Sequence, residues 1–358
     1  MEARPSKKPA RAAEPKPSAG EPVQDALPVD EPLTADDSVD DKVRSENADG
    51  ASDPVDESTS PADWDVLMLL QMGPGANSSL MRPVVQDIIQ RLGGLDAPRE
   101  PGSRIDVWLD SPGGDAHAAY KLGLYLRSRF EVVNFVIVDY AKSAATLLAL
   151  AGDEIFMGPA AELGPLDTQE SREGEVRMRS NLDTANTIDN VYFQVVSNAI
   201  AAGSEILRST ALTREQTIQH VLDFSAQFAR PLLEQIDLVA VNAASTSLDV
   251  AIEYGARLLS YRHNRTGFAS AKARMSQLVR GYPTHGYVID RDEARDGLGL
   301  PVKNLEDYGL LSQLDAVYAG AQSQQMNIIE ITKASAIVRV SEEEEHVEPE
   351  AGTEPGAA

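Results

Sequence analysis

Two stretches decide how the chain is read: Ile105-Asp-Val-Trp-Leu-Asp-Ser-Pro-Gly-Gly-Asp-Ala-His117, and then Val138-Asp-Tyr-Ala-Lys-Ser-Ala-Ala-Thr146. Arg104–Asp110 is a short apolar run, and such a run bounded by turn residues reads as a buried strand. Ser111-Pro-Gly-Gly114 turns the chain, and Asp115 can cap a helix through about Arg129. Val132–Val138 is the next strand. Ser143 then stands at the turn into a helix of small residues, Ala144–Ala151, which the strand Glu154–Met157 follows.

Working outward, Trp64–Met72 reads as the strand that opens the fold, and Gly73–Ser79 as a loop. Val84, Val85, Ile88, Ile89 and Leu92 lie at helical spacing and end at Gly93-Gly94. Strands alternating with helices predict an α/β domain with a mostly parallel sheet and right-handed crossovers. Ligands of such sheets bind beyond the carboxyl ends of the strands. Residues from about Asn181 to Tyr261 read as helical, with capping signals at Thr213 and Ser247. A loop, Tyr282-Pro-Thr-His-Gly-Tyr287, precedes a short helix capped by Asp290, and a helix-like segment runs from about Asn304 to Ala321.

The domain is thus expected over residues 63–321. Residues 1–62 are rich in Pro, Ala, Ser, Asp and Glu without an apolar period, and read as a disordered acidic tail. Residues 322–358, with Ser341-Glu-Glu-Glu-Glu-His-Val-Glu348, read as an acidic, largely disordered tail.

The 358 residues carry a formal net charge of −24. That argues against a nucleic-acid partner, which needs a basic footprint to displace counterions. No cysteine is present, which excludes disulfides, a thiol nucleophile and thiolate metal sites. No metal-binding motif such as HExxH appears, so no metal or other cofactor is expected. No stretch approaches the roughly 18 apolar residues of a membrane span, and the basic N-terminus lacks the apolar core of a secretory signal. The expectation is a soluble, cytoplasmic protein.

The chemistry resides in the two turns. Paired glycines between a strand and a helix let backbone N–H groups converge on one point, and a helix start adds positive potential. Ser143 begins the second helix, where early amides lack intrahelical acceptors. A serine hydroxyl beside such an amide is what acyl transfer needs. Taken alone, each turn also has a plain structural reading, Ser143 as a helix cap and the glycines as a tight bend.

The order LDSPGGDAHAAYKLGLYLR (109–127), then VDYAKSAATLLALAGDEIFMGPAAELGPLDTQ (138–169), resembles the serine dehydrogenase proteinase family. These are relatives of the Clp protease proteolytic subunit and of signal peptide peptidase A. The resemblance is densest from Ile105 to Gln169 and thinner to about Val302. It implies a crotonase-like α/β spiral and peptide-bond hydrolysis by a serine, in a homo-oligomer acting on polypeptide. The family's nucleophile falls on Ser143, and its oxyanion donors fall on Gly113 or Gly114 and on the amide of Ala144. Where the Clp subunit has a histidine shortly after its serine, Glu162–Thr168 has none. The family order Ser, Asp, His is met here by Ser143, Asp167 and a later histidine.

A general base must reach the serine and titrate near neutrality, which favours histidine. Of five histidines, His285 matches the family's late one, and His117, just after the glycines, is the alternative base. His220 lies in a helical pattern, His263 in a basic stretch and His346 in the acidic tail. Asp167 would orient the imidazole. Lys142, adjacent to the serine, is a poor base because neighbouring side chains point apart.

Two other functions compete. A crotonase-type acyl-CoA enzyme would use the same amides without the serine, and Arg172, Arg177 and Arg179 are the nearby cations for its phosphates. A non-catalytic Clp-like scaffold would keep only the fold. No GxxxxGK[ST] motif is present, and the sequence leaves open whether a separate ATPase takes part.

Overall fold

A computed structural model describes residues 63–167, 169–170, 179–261 and 267–345. The expected disorder of residues 1–62 therefore lies outside the described residues, as do His263 and His346. Strands β1 (Asp65–Gln71), β2 (Arg104–Asp110) and β3 (Val132–Ile137) alternate with helices α1 (Arg82–Arg91) and α2 (Ala116–Arg129). A two-residue strand β4 (Tyr140–Ala141), helix α3 (Ala144–Ala149), strand β5 (Glu154–Met157) and strand β6 (Glu162–Leu163) follow. A short pair, β7 (Gln169–Glu170) and β8 (Arg179–Ser180), leads into four helices: α4 (Asn181–Ala185), α5 (Thr187–Ser209), α6 (Arg214–Leu233) and α7 (Leu238–Ser260). Helix α8 (Phe268–Arg280), strand β9 (Val302–Asn304), helix α9 (Leu311–Gln324), strand β10 (Asn327–Lys333) and helix α10 (Ala334–Glu345) complete the order.

The main sheet runs β10-β1-β2-β3-β5-β9 and is parallel apart from the β10 edge. Side chains alternate between two cores, because successive strand residues face opposite sides. Leu67, Ile105, Val107, Val133, Phe135 and Ile155 pack with α1, α2, α3, α7 and α8. Val66, Met68, Trp108, Val136 and Phe156 pack with α9 and the start of α10. Burial on both faces is why these strands read as continuous apolar runs. Beyond the main sheet, β4 and β6 form a small parallel pair, Tyr140 opposite Glu162 and Ala141 opposite Leu163.

Three expectations change. Residues 322–345 are not a tail: β10 pairs antiparallel with β1 from Asp65–Lys333 to Gln71–Asn327. Its half-buried Ile329 and Ile331 pack on one core and Ile328 on the other, so each face of this strand gains apolar cover. The helix-like segment from Asn304 opens instead with β9 and a 3-10 turn, and becomes α-helical only at Leu311. Ser247 lies inside α7, whose cap is Asp237, accepting from the amides of Val239 and Ala240. Thr213 does form a capping box with Gln216 at the start of α6.

Because β10 covers β1 along its whole length, a chain stopped at Gln324 would leave seven residues of β1 backbone unpaired at the edge. We expect such a truncation to lose soluble yield and to lower the thermal midpoint by about 10 °C or more, read by circular dichroism melting.

Candidate active site

The glycine turn leaves β2 and the serine turn follows β4, so both sit past the carboxyl ends of the parallel strands. They are laced together by main chain. The amide of Ser111 donates to the Tyr140 carbonyl (3.0 Å), and that of Lys142 donates to the Ser111 carbonyl (3.0 Å). Ser111 Oγ donates to Gln71 Oε1 (2.5 Å) and accepts from the Gly113 amide (3.1 Å).

Ser143 has φ 51° and ψ −116°. A non-glycine residue held at positive φ costs on the order of 1–3 kcal/mol and persists only where its surroundings over-determine it. Here they do. Ala145 N–H bonds back to Lys142 O (2.9 Å), Leu147 N–H to Ser143 O (3.0 Å), and Thr146 Oγ1 to Ala141 O (2.6 Å). The side chain of half-buried Ser143 makes no capping bond, so the helix-cap reading of this serine does not hold. A sharp, strained strand-to-helix turn is how α/β hydrolases present a nucleophilic serine.

Gly113 has φ 98° and Gly114 φ 149°. A Cβ on Gly113 would stand 2.5 Å from the Lys142 carbonyl oxygen, 2.9 Å from the Ala144 nitrogen and 3.1 Å from the Ser143 Cβ. A Cβ on Gly114 would stand 2.7 Å from the Leu80 carbonyl oxygen. The two turns therefore touch at Gly113, where no side chain fits. The Gly113 amide is already committed to Ser111. The amides of Gly114 and Ala144 have no acceptor among the described residues.

His285 lies in the loop after α8, half-buried, with its Nδ1 buried and unpartnered. That loop is fastened beside the serine turn. Lys142 Nζ donates to the carbonyls of Tyr287 (3.3 Å) and Leu163 (3.2 Å) and pairs with Glu162 (2.9 Å), while Ile289 and Leu163 exchange both backbone bonds (2.9 and 3.1 Å). Asp167 is buried, but its carboxylate serves the start of α4: it accepts from Ser180 Oγ (2.5 Å) and the Leu182 amide (3.0 Å). The structure joins Asp167 to neither Ser143 nor His285. The alternative base, His117, is exposed on α2 with Nδ1 on the Tyr254 hydroxyl (3.0 Å), and His220 is exposed on α6. Arg172 and Arg177 lie outside the described residues. Among the described residues no group of three or more potential ligands could hold a metal, and no helix is long and apolar enough to cross a membrane.

One group near the turn escaped the sequence reading. Asp110, the residue before Ser111, is fully buried, with Oδ2 accepting from the Tyr318 hydroxyl (2.8 Å) and Oδ1 unpartnered. Burial pushes its carboxyl up to about 7, opposed by the Tyr318 bond and reinforced by Asp139. Tyr318 is raised in turn, by burial and by the carboxylate beside it. An aspartate closing an apolar strand is a visible oddity, but Tyr318 is far away in sequence.

Fold and site together define a class: an α/β domain with a strained serine turn lodged against a glycine turn at the sheet's carboxyl edge. Within that class, the family model of ClpP-like SDH-type serine proteinases matches residues 96–188, in keeping with the resemblance drawn from the two motifs. The matched segment holds the glycines, Ser143 and Asp167, and ends before His285. Uncharacterized proteins MJ1495 and MJ0137 of Methanocaldococcus jannaschii are 40% and 38% identical over 65 residues, 18% of this chain. The chain spans 22% and 23% of the length of those curated relatives. A solved structure of a protein assigned as an enoyl-CoA hydratase, from Streptomyces coelicolor A3(2), aligns with TM-score 0.22 and 13% identity, over 71% of this chain and 99% of that one.

Asp110 gives a pH prediction. Its folded carboxyl keeps a proton that the unfolded chain, at the ordinary 3.8, has lost, so the stability it contributes is full below pH 3.8 and is lost as pH rises to about 7. Asp110→Asn keeps an acceptor for Tyr318 without the charge. We expect it to stabilise the protein at pH 8 relative to wild type, by on the order of 3 kcal/mol, with the gap closing toward pH 4, measured by urea unfolding.

Proposed function

We propose that this chain is a serine peptidase in which Ser143 attacks the carbonyl carbon of a peptide bond. At family level the match to serine proteinases supports that reaction type. The observation that carries the reading is the strained backbone of Ser143, its hydroxyl uncommitted, pressed against Gly113. The amides of Gly114 and Ala144 are the oxyanion donors in this reading, since Gly113 already donates to Ser111. Two donors aimed at developing charge are worth several kcal/mol of barrier.

His285 is the general base in this proposal. Its imidazole takes the Ser143 proton as the Oγ–C bond forms, then delivers it to the leaving amine as the C–N bond breaks. Water, deprotonated by the same ring, frees the acyl group. Lys142 acts as a positioning residue: its ammonium is taken by Glu162 and two carbonyls, which suits it to hold the His285 loop rather than to accept a proton. Asp167 enters as the anchor of α4. The substrate is polypeptide, and the working form is a homo-oligomer. The large apolar side chains exposed on α5 and α6, among them Tyr192, Phe193, Ile200, Phe224 and Phe228, support assembly.

A fluorophosphonate probe should label the wild-type protein at Ser143 and leave folded Ser143→Ala unlabelled; absence of labelling on folded wild type would sink the reading. His285→Ala should cut labelling and peptide hydrolysis by about 10²–10⁴-fold. Lys142→Met should lower kcat while the pH–rate profile keeps its midpoint. A midpoint that moves would identify Lys142 as the base instead.

A further inference from the structure

Strand β1 ends on a glutamine, and the residue opposite it on β10 is an asparagine: Gln71 and Asn327 are the last partners of that ladder. Both carboxamides bind the loop that follows β1. Asn327 Oδ1 accepts from the Gly73 amide (2.9 Å), and its Nδ2 donates to the carbonyls of Pro74 (3.3 Å) and Ala76 (3.4 Å). Gln71 Nε2 donates to the Asn77 carbonyl (2.7 Å). Gln71 is buried, so both ends of its carboxamide need partners inside the protein.

Those bonds have a direction. A carbonyl oxygen only accepts, so Asn77 fixes the Gln71 nitrogen on its own side and turns Oε1 the other way. Oε1 takes the hydroxyl hydrogen of Ser111 (2.5 Å), which leaves the Ser111 oxygen as an acceptor for the Gly113 amide (3.1 Å). Ser111 is fully buried. The relay from Gly113 through Ser111 and Gln71 to Asn77 therefore runs one way, and no member of it carries a charge.

The consequence falls on the peptide planes of the glycine turn. Gly113 and Gly114 lack the Cβ that limits rotation, and both hold positive φ. Two bonds stop the planes from turning. The Gly113 N–H is held by Ser111 Oγ, and the Gly113 C=O by the Leu80 amide (2.7 Å). Across a trans peptide the N–H points opposite to the C=O, so the Gly114 N–H is turned away from Leu80.

We propose that Gln71 and Ser111 are positioning residues for the Gly114 amide as oxyanion donor, a role that rests on the serine-peptidase reading above. Their relay withdraws the Gly113 amide from the reaction and keeps the Gly114 amide at one angle. A donor held in advance strengthens its bond as charge develops on the carbonyl oxygen, so the effect lies on the transition state rather than on bound substrate.

Hydrolysis of p-nitrophenyl acetate by the full chain, taken as the part abolished by Ser143→Ala, tests this beside the thiono ester, whose C=S sulfur is a poor hydrogen-bond acceptor. Ser111→Ala and Gln71→Met, each shown to be folded by circular dichroism, should cut kcat for the oxygen ester by about 10- to 100-fold, with KM within about twofold of wild type. The thiono ester draws little on the amides, so the preference for oxygen over sulfur should fall about tenfold, which general loosening of the fold would not do. The double variant should lose no more than the worse single one, as two links of one relay. Should Ser111→Ala not fold, Gln71→Met alone decides, since it leaves both turns intact. With wild type active, an unchanged oxygen-over-sulfur preference in folded Gln71→Met, a loss confined to KM, or losses that multiply in the double variant would overturn the relay alone. A wild-type chain that neither hydrolyses the ester nor labels at Ser143 would instead overturn the peptidase reading, and this proposal with it.

Discussion

The close approach of Gly113 to the Lys142–Ala144 backbone is the contact on which the rest of the architecture turns. With a Cβ the gap to the Lys142 oxygen would be 2.5 Å, well inside van der Waals contact, and the glycine's φ of 98° is one that side-chain-bearing residues rarely adopt. Everything around that gap serves to hold two backbone bends in register. Ser111 is fixed from both sides by main chain and by Gln71, and Thr146 locks the first turn of α3 to Ala141 and Gly164. The strain at Ser143 is sustained by this lacing rather than by the serine itself.

The same constraint orders the electrostatics. Asp110 is carried into the interior because β2 must reach the glycine turn along a fully buried path, and the Tyr318 hydroxyl answers its carboxyl there. Asp106, four residues earlier on the same strand and the same face, is instead saturated by Arg104, Asn134 and Tyr308. The strand thus carries one fully satisfied acid at its amino end and one under-satisfied acid at its carboxyl end. The face between them is closed by Trp108, whose indole donates to the Tyr308 hydroxyl (2.8 Å).

What could be read from sequence was what is local. Gly113, Gly114 and Ser143 announce themselves because a bend's needs are met within a few residues, and the alternation of strands and helices through Met157 follows from apolar spacing. Residues whose surroundings come from distant partners are less legible. Strand β9 is three residues long and exists by pairing with β5; β10 looks like the approach to an acidic tail until β1 is placed beside it. Asp167 fits a family order, yet its carboxylate goes to Ser180 and Leu182, which spacing could not reveal. The His285 loop is set beside the serine by Lys142 reaching Tyr287, a contact that no periodicity encodes.

Strand β10 also imposes an order of events on a ribosome. Among the described residues the first strand, β1, borders the last, β10, and the two register residue by residue from Asp65–Lys333 to Gln71–Asn327. Such a sheet edge cannot be finished while the chain is still being extended, since the partner strand has not been translated. Helix α9, which brings Tyr318 to Asp110 beneath the glycine turn, arrives just as late. The strained serine turn therefore acquires its full support only once α9 and β10 have been made, and a nascent chain that has not reached them is without it.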